Sequence, residues 1–138
     1  MFKEFMEYFV ENSYSGARLR IYREIPISEP KAVVHITHGM AEHAGRYAWF
    51  MQILKEAGYA VYAHDIRGHG YTYAYNSSKG HFCDKNGLDK ILHDLDFSID
   101  LIKKNHPNIP IYCFGHSLGS ILLLRYATSS YHRINGIA

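Results

Sequence analysis

The sequence predicts an α/β protein in which a starting hairpin leads into a mostly parallel sheet with helices on both faces. Three observations carry that reading. Short apolar, β-branched runs alternate with segments of helical period, the mark of strand–helix–strand units joined by right-handed crossovers. The runs are apolar throughout instead of alternating, as strands buried on both faces are. The unusual residues follow three of these runs directly: His38-Gly39, Asp65 to Gly70, and Gly115 to Gly119. Ligands of open α/β sheets bind at that end of the strands.

Each element has its own local signal. Phe2 to Val10 is aromatic-rich and reads as a strand, Ser13 to Gly16 has turn chemistry, and Leu19 and Ile21 mark a returning strand. Pro26 and Pro30 close the hairpin. Ala32 to Thr37 is the first buried strand. A helix from about Tyr47 to Ala57 ends at Gly58, the usual place for a glycine after a helix. Tyr59 to His64 is the next strand, and Gly68 to Gly87, rich in Gly, Tyr, Ser and Asn, reads as a long loop. Leu88, Ile91, Leu92, Leu95, Ile99 and Ile102 form one apolar helical stripe, with Asp89 in its first turn and Lys103-Lys104 in its last, as the helix dipole favours. Ile111 to Phe114 is a strand, Ser117 to about Thr128 a helix, and Ile134 to Ala138 a further strand.

Composition excludes several functions. The 138 residues are 47% hydrophobic and 14% aromatic, which suits a packed core and not disorder. The net charge is +2 with Lys and Arg scattered, so no basic face for nucleic acid can be read. No run of about 18 apolar residues could span a bilayer, and charges at Lys3, Glu4 and Glu7 break any signal-peptide stretch. The expectation is a soluble, cytoplasmic protein. Cys83 and Cys113 leave one disulfide open but make no framework, and Cys113 sits in a buried-type strand. His35, His38 and His43 lack a carboxylate or cysteine at ligand spacing, so no metal is expected, and His35 reads as a core residue. Gly68-His69-Gly70 lacks the third glycine of a dinucleotide loop, and no cofactor is expected.

The residues that carry chemistry are Gly115-His116-Ser117-Leu118-Gly119, a G-x-S-x-G between an apolar strand and an apolar helix. In that context the serine sits in a strained strand-to-helix turn, with glycines two residues away on either side so that the chain can fold back. The turn would present the Ser117 hydroxyl as a nucleophile near the positive end of the helix dipole. Without that role, Ser117 would be an ordinary helix cap. Acyl transfer also needs donors aimed at the oxyanion. The Leu118 N–H is one candidate, and Thr37-His38-Gly39-Met40 offers the Met40 N–H as the other, with Gly39 allowing close backbone approach.

Taken together, His38-Gly39-Met40-Ala41-Glu42-His43-Ala44-Gly45-Arg46-Tyr47 resembles the H-G-x-G-E-H-x-x-R-Y signature of the monoacylglycerol lipase and lysophospholipase family of α/β-hydrolases. Asp65 to Gly70 resembles its D-x-R-G-H-G, and Gly115 to Gly119 its G-H-S-x-G. The resemblance implies the N-terminal portion of an α/β-hydrolase fold across residues 1–138 and a serine ester hydrolase acting on a small lipid or ester. It assigns the nucleophile to Ser117 and the oxyanion donors to Met40 and Leu118, with His38, Gly39, Gly115, His116 and Gly119 supporting. Glu42, Arg46, Asp65, Arg67 and His69 fall on positions that brace the loops, or that simply pair and cap locally. Ala41 departs from the family's glycine and implies a stiffer loop. Tyr71, Tyr73 and Tyr75 make the next loop unusually aromatic, either lining a pocket or lying on the surface.

The triad of this fold runs Ser, then Asp or Glu, then His. No Asp or Glu follows Ser117, and the only later histidine, His132, comes too soon and reads as a loop residue. Asp94, Asp96 and Asp100 precede the nucleophile strand and are expected on the solvent side of their helix. The chain therefore reads as the N-terminal half of a hydrolase: a fragment, a truncated product, or one partner of a two-chain assembly. Its last strand would then be an open edge through which copies self-associate. Little activity is expected of this piece alone. A non-catalytic α/β module, or an α/β-hydrolase with another acyl or peptide substrate, stands as the alternative.

Overall fold

The computed structural model describes residues 6–138. The expected strand from Phe2 lies partly outside the described residues, and its described part is β1, Glu7–Asn12. The hairpin continues into β2, Arg18–Glu24, antiparallel to β1. The strands that follow are β3, Val33–Thr37, β4, Ala60–His64, β5, Ile111–Gly115, and β6, Gly136–Ile137. They make one six-stranded sheet in the order β1-β2-β4-β3-β5-β6, with β3, β4, β5 and β6 parallel. β6 is the outermost strand on its side, though only two residues long.

The helices are α1, Ala48–Glu56, α2, Gly87–Asn105, and α3, Leu118–Ser130. The turn Ala44–Tyr47 ahead of α1 is a 3-10 helix, so the regular helix begins one residue later than its apolar pattern suggested. Strand alternation divides the core in two. Leu19, Ile21, Val33, Tyr62, Ile111 and Cys113 face α2 and α3, where Leu95, Ile99, Ile102, Leu123 and Tyr126 cover them. Tyr22, Ile36, Val61 and Ala63 face the other way, onto Ala48 and Met51 of α1. Helices thus lie on both faces, as the double burial of the strands requires.

The core also holds polar groups. His35 and His64 meet across β3 and β4, Nε2 to Nδ1 at 3.2 Å, with Ser98 of α2 at 3.0 Å from His64 Nδ1. Burial holds both imidazoles neutral: it pushes His35 well below its ordinary value and His64 down to about 4. Asp94 corrects the expectation of a solvent-facing carboxylate. It is buried, and it accepts from Arg67 Nε at 2.7 Å and from Ser13 Oγ at 2.5 Å. Asp94 falls three residues after Ile91 and four before Ser98, on the inner face of α2. Asp96 and Asp100 are half-buried and pair with Arg133. Both cysteines are free, and burial pushes the Cys113 thiol up to about 12. No helix among the described residues is long and apolar enough to cross a membrane.

Candidate active site

The carboxyl ends of β3, β4 and β5 meet at one edge of the sheet, and the three sequence motifs come together there. Beyond β5 the chain turns sharply: Ser117 has φ 53° and ψ −116°, a conformation that a residue with a side chain rarely adopts. The turn is enforced by packing. A Cβ on Gly119 would lie 2.0 Å from the Thr37 carbonyl oxygen, and one on Gly115 would lie 2.7 Å from Gly119 and Ser120 backbone atoms. Only glycine fits at either position. The His116 N–H donates to the Thr37 carbonyl at 3.2 Å, which fastens the turn to the end of β3.

Ser117 is exposed and heads α3, where its carbonyl accepts from Ser120 N and Ile121 N. Its side chain caps nothing in the helix, so simple helix capping does not account for it. Leu118 is the first residue of α3, whose N–H has no partner within the helix. Among the described residues, neither the Met40 nor the Leu118 N–H meets an acceptor.

The loop after β3 is held by two side chains. His38 is buried and neutral: its Nε2 accepts from the Ile66 N–H at 2.9 Å, which leaves Nδ1 to donate to the Gly39 carbonyl at 2.7 Å. Burial lowers its pKa in keeping with that state. The Glu42 carboxylate reaches back to accept from the Gly39 N–H at 2.5 Å and from the Tyr47 hydroxyl at 2.6 Å, and His116 Nδ1 lies 3.4 Å from the same oxygen. Burial works against the charge on Glu42, but these donors outweigh it and hold its pKa below the ordinary value. Ala41 takes φ 59°, a left-handed conformation natural to the glycine it replaces.

The loop after β4 supplies support. Asp65 accepts from Ala44 N at 2.8 Å and Tyr71 N at 2.9 Å, bridging the starts of two loops. Arg67 is buried against Asp94 and also donates to the Ser15 carbonyl. The His69 ring lies between His38 and Phe82, centroids 5.4 and 6.0 Å away. Among the described residues Arg46 pairs only with Glu42, at 3.4 Å.

Two clefts open among these loops, and of the turn residues only His116 borders one of them. One of about 730 Å³ is bordered by Met40, Ala41, His69, Tyr71 and Lys79, and one of about 500 Å³ by Tyr47, Trp49, Phe50, Phe114 and His116. Glu42 borders both. The aromatic wall from α1 was missed in the sequence, where Trp49 and Phe50 read only as helix residues. Tyr71 borders a cleft, while Tyr73 and Tyr75 point to solvent. His132 lies in the 3-10 turn Tyr131–Arg133 and borders a cleft with Pro110 and Ile111, at the start of β5. A five-residue strand, roughly 16 Å, separates it from the Ser117 end.

Comparison with known proteins bears on the family and the fold. The chain is 30% identical over 112 residues to monoglyceride lipase of Rattus norvegicus, covering 81% of this chain and 35% of that protein. It is 34% identical over 119 residues to monoacylglycerol lipase of Mycolicibacterium smegmatis, covering 84% and 40%. The matched segments make up 35% and 40% of those proteins, so the chain spans well under two thirds of the curated relatives it matches. The crystal structure of a thermostable carboxyl esterase from Bacillus coagulans superposes with a TM-score of 0.83 at 28% identity, covering 96% of this chain and 43% of that one. The fold is therefore part of an α/β-hydrolase fold. Residues 28–138 match the profile of the hydrolase family described as Serine aminopeptidase, S33, and the chain belongs to that family.

Proposed function

We propose that the whole protein is a serine carboxylic-ester hydrolase of monoacylglycerol lipase or lysophospholipase type, that Ser117 is its nucleophile, and that residues 1–138 are a single partial domain carrying the first part of its site. The observation that carries this is the conformation of Ser117, φ 53° and ψ −116°, on an exposed turn between a strand and a helix. A serine with no catalytic role has no use for that strain.

The Ser117 hydroxyl attacks the acyl carbon, and the developing oxyanion accepts from the Met40 and Leu118 N–H groups, aided by the positive end of the α3 dipole. His38 and Glu42 hold the Met40 loop in place, and Gly115, Gly119 and His116 hold the turn. The proton leaves to a base that residues 118–138 do not supply, since His132 sits at the far end of β5. The 138-residue chain alone is therefore expected to be nearly inactive.

Labelling by a fluorophosphonate tests this. The whole protein is labelled, Ser117→Ala abolishes labelling, and the 138-residue chain reacts about a thousandfold more slowly or not at all. A folded whole protein that resists labelling overturns the reading. The family description favours one rival, an aminopeptidase. Turnover of aminoacyl anilides with no turnover of monoacylglycerol or lysophospholipid would choose it.

A further inference from the structure

The segment between the loop after β4 and α2 carries tyrosines at alternate positions, and its backbone is pinned so that all three face outward. Tyr71, Tyr73 and Tyr75 are 73%, 62% and 80% exposed, while Ala74 is 3% exposed within the core under α2. Thr72 turns inward, donating to the Asp65 carbonyl at 2.6 Å and accepting from Arg20 N at 3.0 Å. Tyr73 exchanges both backbone hydrogen bonds with Arg18, and the Tyr71 N–H is held by Asp65. Large rings on an immobilised backbone lose little further freedom on binding.

The strip also lies at the right edge of the molecule. β2 runs antiparallel to β4, so Arg18, the first residue of β2, sits beside the carboxyl end of β4. Tyr71 shares a cleft with Met40, itself exposed. Cations flank the rings: Arg18 and Lys79 are exposed, and the Arg20 guanidinium lies 4.8 Å from the Tyr71 ring. Among the described residues none of these three cations forms a salt bridge, and the nearby Asp84 is paired with His81.

We propose that Tyr71, Tyr73 and Tyr75, with Met40, Arg18 and Lys79, form a docking surface for a phospholipid–water interface. Tyrosine suits that boundary, with an apolar ring for the acyl region and a hydroxyl for the head groups. The cations meet the phosphates, which gives the surface its charge complementarity. The cleft beside Tyr71 belongs to the site already described, and the rings of Tyr73 and Tyr75 stand out from the surface beyond it; a lipid surface needs only such protruding amphipathic rings. The surface's placement beside Ser117 rests on the hydrolase reading, but binding itself does not, so the measurement uses the Ser117→Ala chain. Labelling can fail while vesicle binding holds, and the reverse.

Flotation with phosphatidylcholine vesicles, with and without phosphatidylserine, reads the partition. The chain binds both, and binds those with phosphatidylserine more tightly at low salt. Joint replacement Tyr71→Ser, Tyr73→Ser and Tyr75→Ser weakens both about tenfold, and Lys79→Glu removes the phosphatidylserine preference alone. Replacing exposed tyrosines elsewhere, Tyr112→Ser and Tyr131→Ser, changes nothing. Where circular dichroism shows the triple variant unfolded, Tyr73→Ser and Tyr75→Ser singly weaken partition about twofold each. No vesicle binding by the parent chain, undiminished binding by the strip variants, or a strip-dependent dimer that ignores vesicles overturns the proposal.

Discussion

The loops that follow β4 and β5 are built from similar residues, glycines around a polar side chain, yet they treat those side chains in opposite ways. From Asp65 to His69 every residue is buried, and Asp65, Arg67 and His69 all find partners inside the protein. At the end of β5, His116 and Ser117 are exposed, and Ser117 sits in a strained turn with its side chain capping nothing. One loop uses its charge to hold the fold together. The other draws its shape from close backbone packing and keeps its hydroxyl available. Similar composition does not mean similar work: buried pairing braces the loop after β4, while the strained, unpaired serine after β5 is the feature on which the proposed function rests.

The comparison breaks most sharply on stability. Asp94→Ala leaves Arg67 charged and buried without its carboxylate, which is expected to cost about 3–5 kcal/mol. That is a large part of the stability of any small domain, and denaturant unfolding measures it. A comparable loss on replacing Ser117 would erase the distinction between the two loops.

Next comes pH. His64 titrates near 6.5 when unfolded, and burial, with a smaller push from His38 against a pull from Asp65, lowers it to about 4 in the fold. Between those values the unfolded chain binds the extra proton. Stability is thus fully present above about pH 6.5 and falls by roughly 3 kcal/mol as pH drops through 4. Denaturant midpoints across that range check it, and His64→Gln flattens the slope.

Smaller effects run in the stabilising direction. Ser117→Gly relieves the turn's backbone and is expected to raise stability by about 1 kcal/mol, whatever it does to labelling. Ala41→Gly, at φ 59°, should gain less than about 1 kcal/mol, since strain relief is offset by the freedom glycine has when unfolded. A melting temperature that falls on either change means that the turn is not strained as described.

Much of this was legible in the sequence because its signals are local. Strand runs, the α2 stripe and the glycines around Ser117 each announce themselves within about twenty residues. Asp94 did not, since its partners Arg67 and Ser13 are 27 and 81 residues away. A hint was available: Asp94 and Ser98 interrupt an apolar stripe four residues apart, and buried polar residues require partners. His64 escaped notice for the same reason, being polar at the end of an apolar strand and satisfied only across the sheet. The 3-10 turn Ala44–Tyr47 ahead of α1 was not read, since it has no capping side chain to announce it.

The Thr37 carbonyl accepts the His116 N–H, and Gly119 packs against it with no room for a methyl group. The loops that lead to Met40 and Leu118 therefore leave the sheet from paired positions, Thr37 and Gly115, on neighbouring strands about 4.8 Å apart. The roots of the two loops cannot separate without breaking that link, so the register from which each loop departs is inherited from the sheet.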